Sequence, residues 1–142
     1  MNDNEAFLSQ LQAILPQDRL LTDSPQLSTF ESDGLTAFAV RPLAVAMPVD
    51  EVEVGECIKL CNEFKIPFVA RGSGTSLSGG SLPCENGIVI ALNKMNRILE
   101  IDPVDRVAVV QPGVINLAVT RAVERYGLHF APDPSSQQVC TV

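Results

Sequence analysis

The sequence predicts an α+β fold, in which a small unit with parallel strands is followed by a second, antiparallel lobe. Three observations carry this expectation. Apolar runs at 43–47, 66–70 and 88–92 read as buried strands, and a helical pattern separates the first from the second. The second run empties into Arg71-Gly72-Ser73-Gly74-Thr75-Ser76-Leu77-Ser78-Gly79-Gly80, a loop nearly stripped of side-chain bulk. After Asn93 the character changes, because Arg97 to Ile101 and Val107 to Val110 flank the turn Asp102-Pro103-Val104-Asp105, which reads as a hairpin rather than a crossover.

Each element has a local cause. Phe7, Leu8, Leu11, Ile14 and Leu15 recur at helical spacing across 4–15, and Pro16 closes that amphipathic helix. A short helical pattern follows Asp23-Ser24-Pro25 through Leu27 and Phe30, and a loop around Asp33-Gly34 then leads to the strand at 43–47. Asp50 with Glu53 forms a capping-box-like start for a helix whose inner face is Val54, Cys57, Ile58, Cys61 and Phe64. Strand, helix and strand make a unit whose first two strands run parallel through a right-handed crossover, so the glycine loop lies at a carboxyl end of the sheet. Pro112-Gly113 opens the last helix, with Leu117, Ala118, Ala122 and Val123 on its inner face and Gly127 as its C′ residue.

These elements divide the chain into an N-terminal helical segment at 1–35, a first lobe at 36–92 and a second lobe at 93–142. A hairpin and one helix are too little for a closed lobe, since two strands need others to cover their apolar faces. Leu99, Ile101, Val107 and Val109 are therefore expected to lack cover, and the second lobe to be the less stable part.

At 142 residues and 46% hydrophobic content, the chain can build one domain with a real core, or two small lobes. A net charge of −7 without any cluster of lysine or arginine excludes a basic surface for nucleic acid. The start Met1-Asn2-Asp3-Asn4-Glu5 lacks a signal-peptide pattern, and no apolar stretch approaches the roughly 20 residues that a membrane span requires. The chain reads as cytoplasmic. Cys57, Cys61, Cys84 and Cys140 have spacings unlike a CxxC pair and only one histidine beside them, so reduced thiols are expected rather than a metal site.

The glycine loop carries the chemistry. Glycine lets main-chain N–H groups approach a ligand and tolerates positive φ, while Ser73, Thr75, Ser76 and Ser78 add hydroxyl donors; together these suit the oxygens of a phosphate or pyrophosphate. Arg71 adds a positive charge at the entrance. A Walker loop is excluded, because Gly80 and Ser81 follow Gly79 where lysine is needed. A Rossmann fingerprint is excluded too: Leu77 holds the third glycine position, and Pro83 and Gly87 lead into the apolar run Ile88 to Leu92. The competing reading is a glycine-rich surface loop without a ligand. Five of the nine glycines fall between Gly72 and Gly87, which weighs against it.

The glycine loop, then Gln111-Pro112-Gly113-Val114, Tyr126-Gly127-Leu128, Ala131-Pro132-Asp133-Pro134-Ser135-Ser136 and Cys140-Thr141-Val142 together resemble the vanillyl-alcohol-oxidase/PCMH-type flavoproteins. Within that superfamily the pattern is similar to the FAD-linked subunits of glycolate-type 2-hydroxy acid oxidases. The resemblance covers almost the whole chain. It implies a two-lobed PCMH-type FAD-binding domain with FAD extended between the lobes. Carried over residue by residue, Arg71, Gly72, Ser73, Gly74, Thr75 and Ser76 would hold the pyrophosphate, while Pro132, Asp133, Ser135 and Thr141 would line the flavin side. The histidine or cysteine that tethers flavin covalently in some relatives is absent from the loop, so non-covalent FAD is expected. In the family Cys140-Thr141 continues into a glycine-glycine-asparagine motif, so the chain is expected to be an N-terminal piece cut inside its FAD domain.

The chemistry implied is oxidation of a 2-hydroxy acid to the 2-keto acid, with the α-hydrogen leaving as hydride to the flavin. By the same resemblance, the base and carboxylate clamp lie in a C-terminal region, so no catalytic residue is expected here and the 142 residues alone should be inactive. His129, the single imidazole, reads as a packed or surface residue. Partner subunits of the oxidase are implied, and any membrane association would arise through them. D-lactate and D-2-hydroxyglutarate dehydrogenases share the domain and remain alternatives, as does a non-catalytic nucleotide-binding or assembly module.

Overall fold

The computed structural model describes residues 2–142. Helix α1 (Asp3–Ile14) opens with a reciprocal cap, since Asn2 Oδ1 accepts from the Glu5 N–H at 2.8 Å and the Glu5 carboxylate accepts from the Asn2 N–H at 3.1 Å. Strand β1 (Leu20–Leu21) and helix α2 (Ser24–Leu27) follow, and a 3-10 turn continues to Phe30. Strand β2 (Ala44–Ala46), helix α3 (Glu51–Phe64), strand β3 (Phe68–Arg71) and strand β4 (Ile88–Ala91) complete the first sheet. Strands β5 (Ile98–Asp102) and β6 (Val107–Val110) form the hairpin, and helix α4 (Asn116–Val123) follows it.

The first sheet has the order β1-β2-β4-β3, with β4 parallel to both neighbours and β1 antiparallel to β2. The two strands joined through α3 run parallel, as expected, with β4 inserted between them. It takes that place because all four of its residues are buried, whereas β3 sits at the edge with Phe68 and Ala70 exposed. Both faces of the sheet are covered. Ala44, Ala46, Ile88 and Ile90 meet Phe7, Leu11, Cys57, Leu60 and Cys61 on one side, and Val45, Val89 and Ala91 meet Leu27 and Phe30 on the other. The N-terminal helix therefore shares one core with the first lobe, and Phe7 stacks edge-on against Phe64 at 5.7 Å.

The start of α3 departs from the expected capping box. Asp50 Oδ1 does accept from the Glu53 N–H at 2.9 Å. The Glu53 carboxylate instead accepts from the Val49 N–H and pairs with both terminal nitrogens of Arg19, Nη2 at 2.8 Å. The Arg19 hydrogen bond holds the Glu53 carboxyl below its ordinary value, and the same bond raises the Arg19 pKa.

The hairpin also differs from expectation. Ile101 pairs with Ala108 and Ile98 with Val110, opposite in face to Val107 and Val109, and a bulge interrupts the ladder between Ile98 and Glu100. Leu99, Val107 and Val109 are exposed, whereas Ile101 looks towards α4 across a cavity of about 460 Å³. The inner face of α4 is Asn116, Val119 and Val123 rather than Leu117, Ala118 and Ala122, because the helix begins at Asn116, three residues after Gly113. Gly127, at φ +70°, ends the 3-10 turn that extends α4.

All four cysteines are free, and Cys57 and Cys61 lie fully in the core. Burial pushes both thiols up from 9.0 to about 11. A thiol whose folded pKa exceeds its unfolded value contributes stability that is complete below the unfolded pKa and lost as pH rises through the folded one. At neutral pH, Cys84 and Cys140 should react with a thiol reagent while Cys57 and Cys61 react only after unfolding. Resistance to urea should then decline between pH 9.0 and about 11. Four equally fast thiols would contradict this packing.

Candidate functional site

The glycine loop leaves the carboxyl end of β3, on the side of the sheet where β2 and β4 also end. Among the described residues, no hydrogen bond within the chain uses the main-chain N–H groups of Ser73, Gly74, Thr75, Ser76 or Leu77. Ser76 Oγ accepts from the N–H groups of Ser78 and Gly80, both at 3.3 Å, which curls the loop and leaves the hydroxyl proton to donate. Donors without acceptors inside the chain are open to an acceptor from outside it.

Arg71 takes a different place from the expected one. It is 8% exposed, its Nη1 donates to the Ser32 carbonyl at 2.7 Å, and its guanidinium lies 5.3 Å from the Phe30 ring centroid. Burial lowers its pKa, opposed in part by the charge of Asp33, and it remains cationic at neutral pH. The guanidinium sits beneath Gly74: a Cβ built there would collide with Nη2 and Cζ and reach 2.7 Å from Nε. Gly74 also holds φ +72°, so both space and conformation require glycine. Arg71 thus shapes the loop from below instead of standing at its entrance. Asp33 completes this base, with Oδ1 accepting from the Leu35 N–H at 2.9 Å and Oδ2 buried without a partner.

The loop also meets the second lobe. A Cβ on Gly72 would collide with Thr141 Oγ1, and Ser73 Oγ donates to the Val139 carbonyl at 2.5 Å. Thr141 bridges Ile115 in antiparallel fashion, and the N–H groups of Asn116 and Leu117 donate to the carbonyls of Cys140 and Gln137. Segment 137–141 therefore caps α4, which has no side-chain cap of its own. Beside this junction lies a cavity of about 450 Å³ lined by Ser73, Asn93, Asn96, Ile115 and Thr141 among others. Gly72, Ser73 and Thr141 are thus brought together. Pro132, Asp133 and Ser135 are exposed further along the same segment. Asn93 and Asn96 escaped the sequence reading; their only signal is two amides directly after a fully buried strand.

The arrangement suits a diphosphate. It offers free N–H groups and hydroxyls, glycines that let the backbone come close, and no charged side chain within 72–80. Among the described residues no group of three or more His, Cys, Asp or Glu could hold a metal ion, and no helix is long and apolar enough to cross a membrane. His129 lines the separate cavity beneath the hairpin.

A two-lobed unit with such a loop at its junction defines a flavoprotein domain of the PCMH type, and the comparisons agree. The FAD binding domain family FAD_binding_4 matches residues 42–142, and the chain belongs to that family. It is 41% identical over 140 residues to glycolate oxidase subunit GlcD of Escherichia coli K12, spanning 99% of this chain and 28% of that one. The Bacillus subtilis GlcD is 43% identical over 113 residues, which is 80% of this chain and 24% of its own. Among solved structures, p-cresol methylhydroxylase superposes with a TM-score of 0.78 at 28% identity over 89% of this chain and 25% of its own. Alkyldihydroxyacetonephosphate synthase gives 0.85 at 21% identity over 96% of this chain and 28% of its own, a likeness of fold. The chain thus spans about a quarter of the length of these relatives.

Arg71 and Gly74 should be energetically coupled. Gly74→Ala is expected to lose about 1–2 kcal/mol for its left-handed φ alone, and more for displacing the guanidinium. In an Arg71→Ala background the collision disappears, so the double variant should be less destabilised than the sum by about 0.5–3 kcal/mol. Urea denaturation of the four proteins measures this. Additivity would show that the two residues do not share the space assigned to them.

Proposed function

We propose that this chain is the cofactor-holding part of a flavin-dependent 2-hydroxy acid oxidoreductase, with glycolate as substrate and FAD held non-covalently. The observation that carries the reading is the loop at 72–77, with its unused N–H groups at the junction of two lobes, in a chain 41% identical to a glycolate oxidase subunit. In this reading Gly72, Ser73, Gly74, Thr75 and Ser76 hold the pyrophosphate through main-chain N–H groups and hydroxyls, and Arg71 fixes their conformation. Pro132, Asp133, Ser135 and Thr141 border the flavin. The bound flavin supplies the acceptor for hydride. The chain's own contribution is to bind, orient and hold the two lobes on it.

The domain boundaries follow: 1–35 buttresses the first lobe at 36–92, and 93–142 supplies the flavin side. The substrate's carboxylate clamp and the base are assigned to other parts of the enzyme, and further oxidase subunits are its partners in the cytoplasm. A second reading is favoured by specific relatives. The D-2-hydroxyglutarate dehydrogenase of Stutzerimonas stutzeri is 30% identical over 131 residues, and a mitochondrial D-lactate dehydrogenase of Arabidopsis thaliana is 36% identical over 131. These point to a different acid handled by the same domain.

Acid precipitation of the purified holoenzyme should release FAD into the supernatant, and glycolate should reduce its flavin faster than D-lactate or D-2-hydroxyglutarate. Flavin that stays with the precipitate would overturn non-covalent binding, and a faster rival acid would overturn the substrate. Residues 1–142 alone, given FAD and an artificial acceptor, should not turn glycolate over. Turnover there would place the base among groups such as His129, Arg121 and Arg125.

A further inference from the structure

Asn116 is 5% exposed and faces the segment that carries Pro132, Asp133 and Ser135. Its Nδ2 donates to the Pro132 carbonyl at 3.2 Å, and its main-chain N–H donates to the Cys140 carbonyl at 2.9 Å. One residue thus ties both ends of a nine-residue segment, 132–140, to the first turn of α4. The segment's other anchor on this helix is main chain, the Leu117 N–H to the Gln137 carbonyl at 3.0 Å. Asn116 Oδ1 is buried without a partner. A polar side chain kept in a buried site at that cost is hard to explain by stability, because a leucine of similar size would remove the buried unpaired acceptor and give up only one bond, to the carbonyl of the exposed Pro132.

We propose that Asn116 is a positioning residue, whose amide sets the height of the 132–140 segment against the flavin half of the cofactor. This rests on the FAD reading above. The glycine loop meets this segment at its far end, where Ser73 Oγ reaches the Val139 carbonyl, and main-chain donors of α4 hold that end whatever residue 116 carries; the Asn116 amide at the Pro132 end therefore acts on the flavin half more than on the diphosphate half. Losing the Pro132 bond frees one end of the segment while α4 still grips the other through main-chain donors.

The test compares FAD with ADP-ribose, which carries the adenosine diphosphate portion and lacks the flavin ring, on the apoprotein by calorimetry. Asn116→Leu should bind FAD about tenfold more weakly, the loss of one hydrogen bond's worth of ordering, and bind ADP-ribose as the parent does. Its melting temperature should match or exceed the parent's. Should the leucine variant fail to fold, Asn116→Ala, which cannot overfill the site, carries the same comparison. Unchanged FAD affinity overturns the proposal, and so does an equal loss for both ligands. A parent protein that binds ADP-ribose but not FAD would instead overturn the FAD reading itself.

Discussion

The guanidinium of Arg71 lies under the main chain of Gly74, and the shape of the ligand loop depends on that contact. Arginine is the residue at the end of an edge strand, where a side chain can turn back beneath the chain that follows it. Its charge is removed from water, which is unfavourable, and Phe30, the Ser32 carbonyl and nearby Asp33 together offset this. The consequence runs outward. The backbone at Gly74 takes φ +72°, which favours glycine, and any Cβ there would have to displace the guanidinium from the space below. Gly34 is constrained from the same side, since a Cβ on it would lie 2.7 Å from the Ser76 carbonyl and 3.0 Å from that of Thr75. The carbonyls of 75 and 76 are thereby turned towards segment 32–35. Peptide N–H groups of the same stretch are left without partners inside the chain.

The second lobe is assembled on that loop by backbone more than by side chains. Gly72 admits Thr141, Ser73 reaches the Val139 carbonyl, and α4 takes its cap from the carbonyls of Gln137 and Cys140. Gly113 contributes a similar close approach: its N–H donates to the Met95 carbonyl at 2.7 Å, and a Cβ there would collide with the Leu92 carbonyl. Units joined by a small number of directional bonds can shift relative to each other at low cost.

Much of this was legible in the residues. The three buried strands of the first sheet, the hairpin and the glycine loop announced themselves through apolar runs and turn chemistry, since strands covered on both faces read as continuous hydrophobic stretches. Strand order was not legible, because β4 outranks β3 for the central place only through its total burial, a property of the packed sheet. The two-residue strand Leu20–Leu21 is too short to show a period. Spacing from Asp50 alone makes Glu53 a capping partner. The alternative partner, Arg19, is 34 residues away and visible only once α3 and the 3-10 turn before β1 lie side by side. The place of the Arg71 guanidinium has the same cause: a cation beside a phosphate-type loop suggests the loop's entrance, and only the position of Phe30 and Ser32 reveals where the guanidinium goes. Asn116 gave no local signal at all, as an asparagine near a helix start ordinarily reads as a cap.

An acidic chain that holds an anionic cofactor needs an account of its electrostatics, and the geometry supplies one. The net charge of −7 is spread over the surface, and at physiological ionic strength charges more than about 8 Å away are largely screened. What surrounds the loop is local. Residues 72–80 carry no charged side chain, the N–H groups of 73–77 have no partner among the described residues, and the buried cation beneath Gly74 lies where screening by solvent is weakest. Such a site draws its selectivity from fixed donors instead of from mobile lysines. It follows that the loop must be held rigid from below, and the buried guanidinium of Arg71, with Asp33 beside it, is placed for that task.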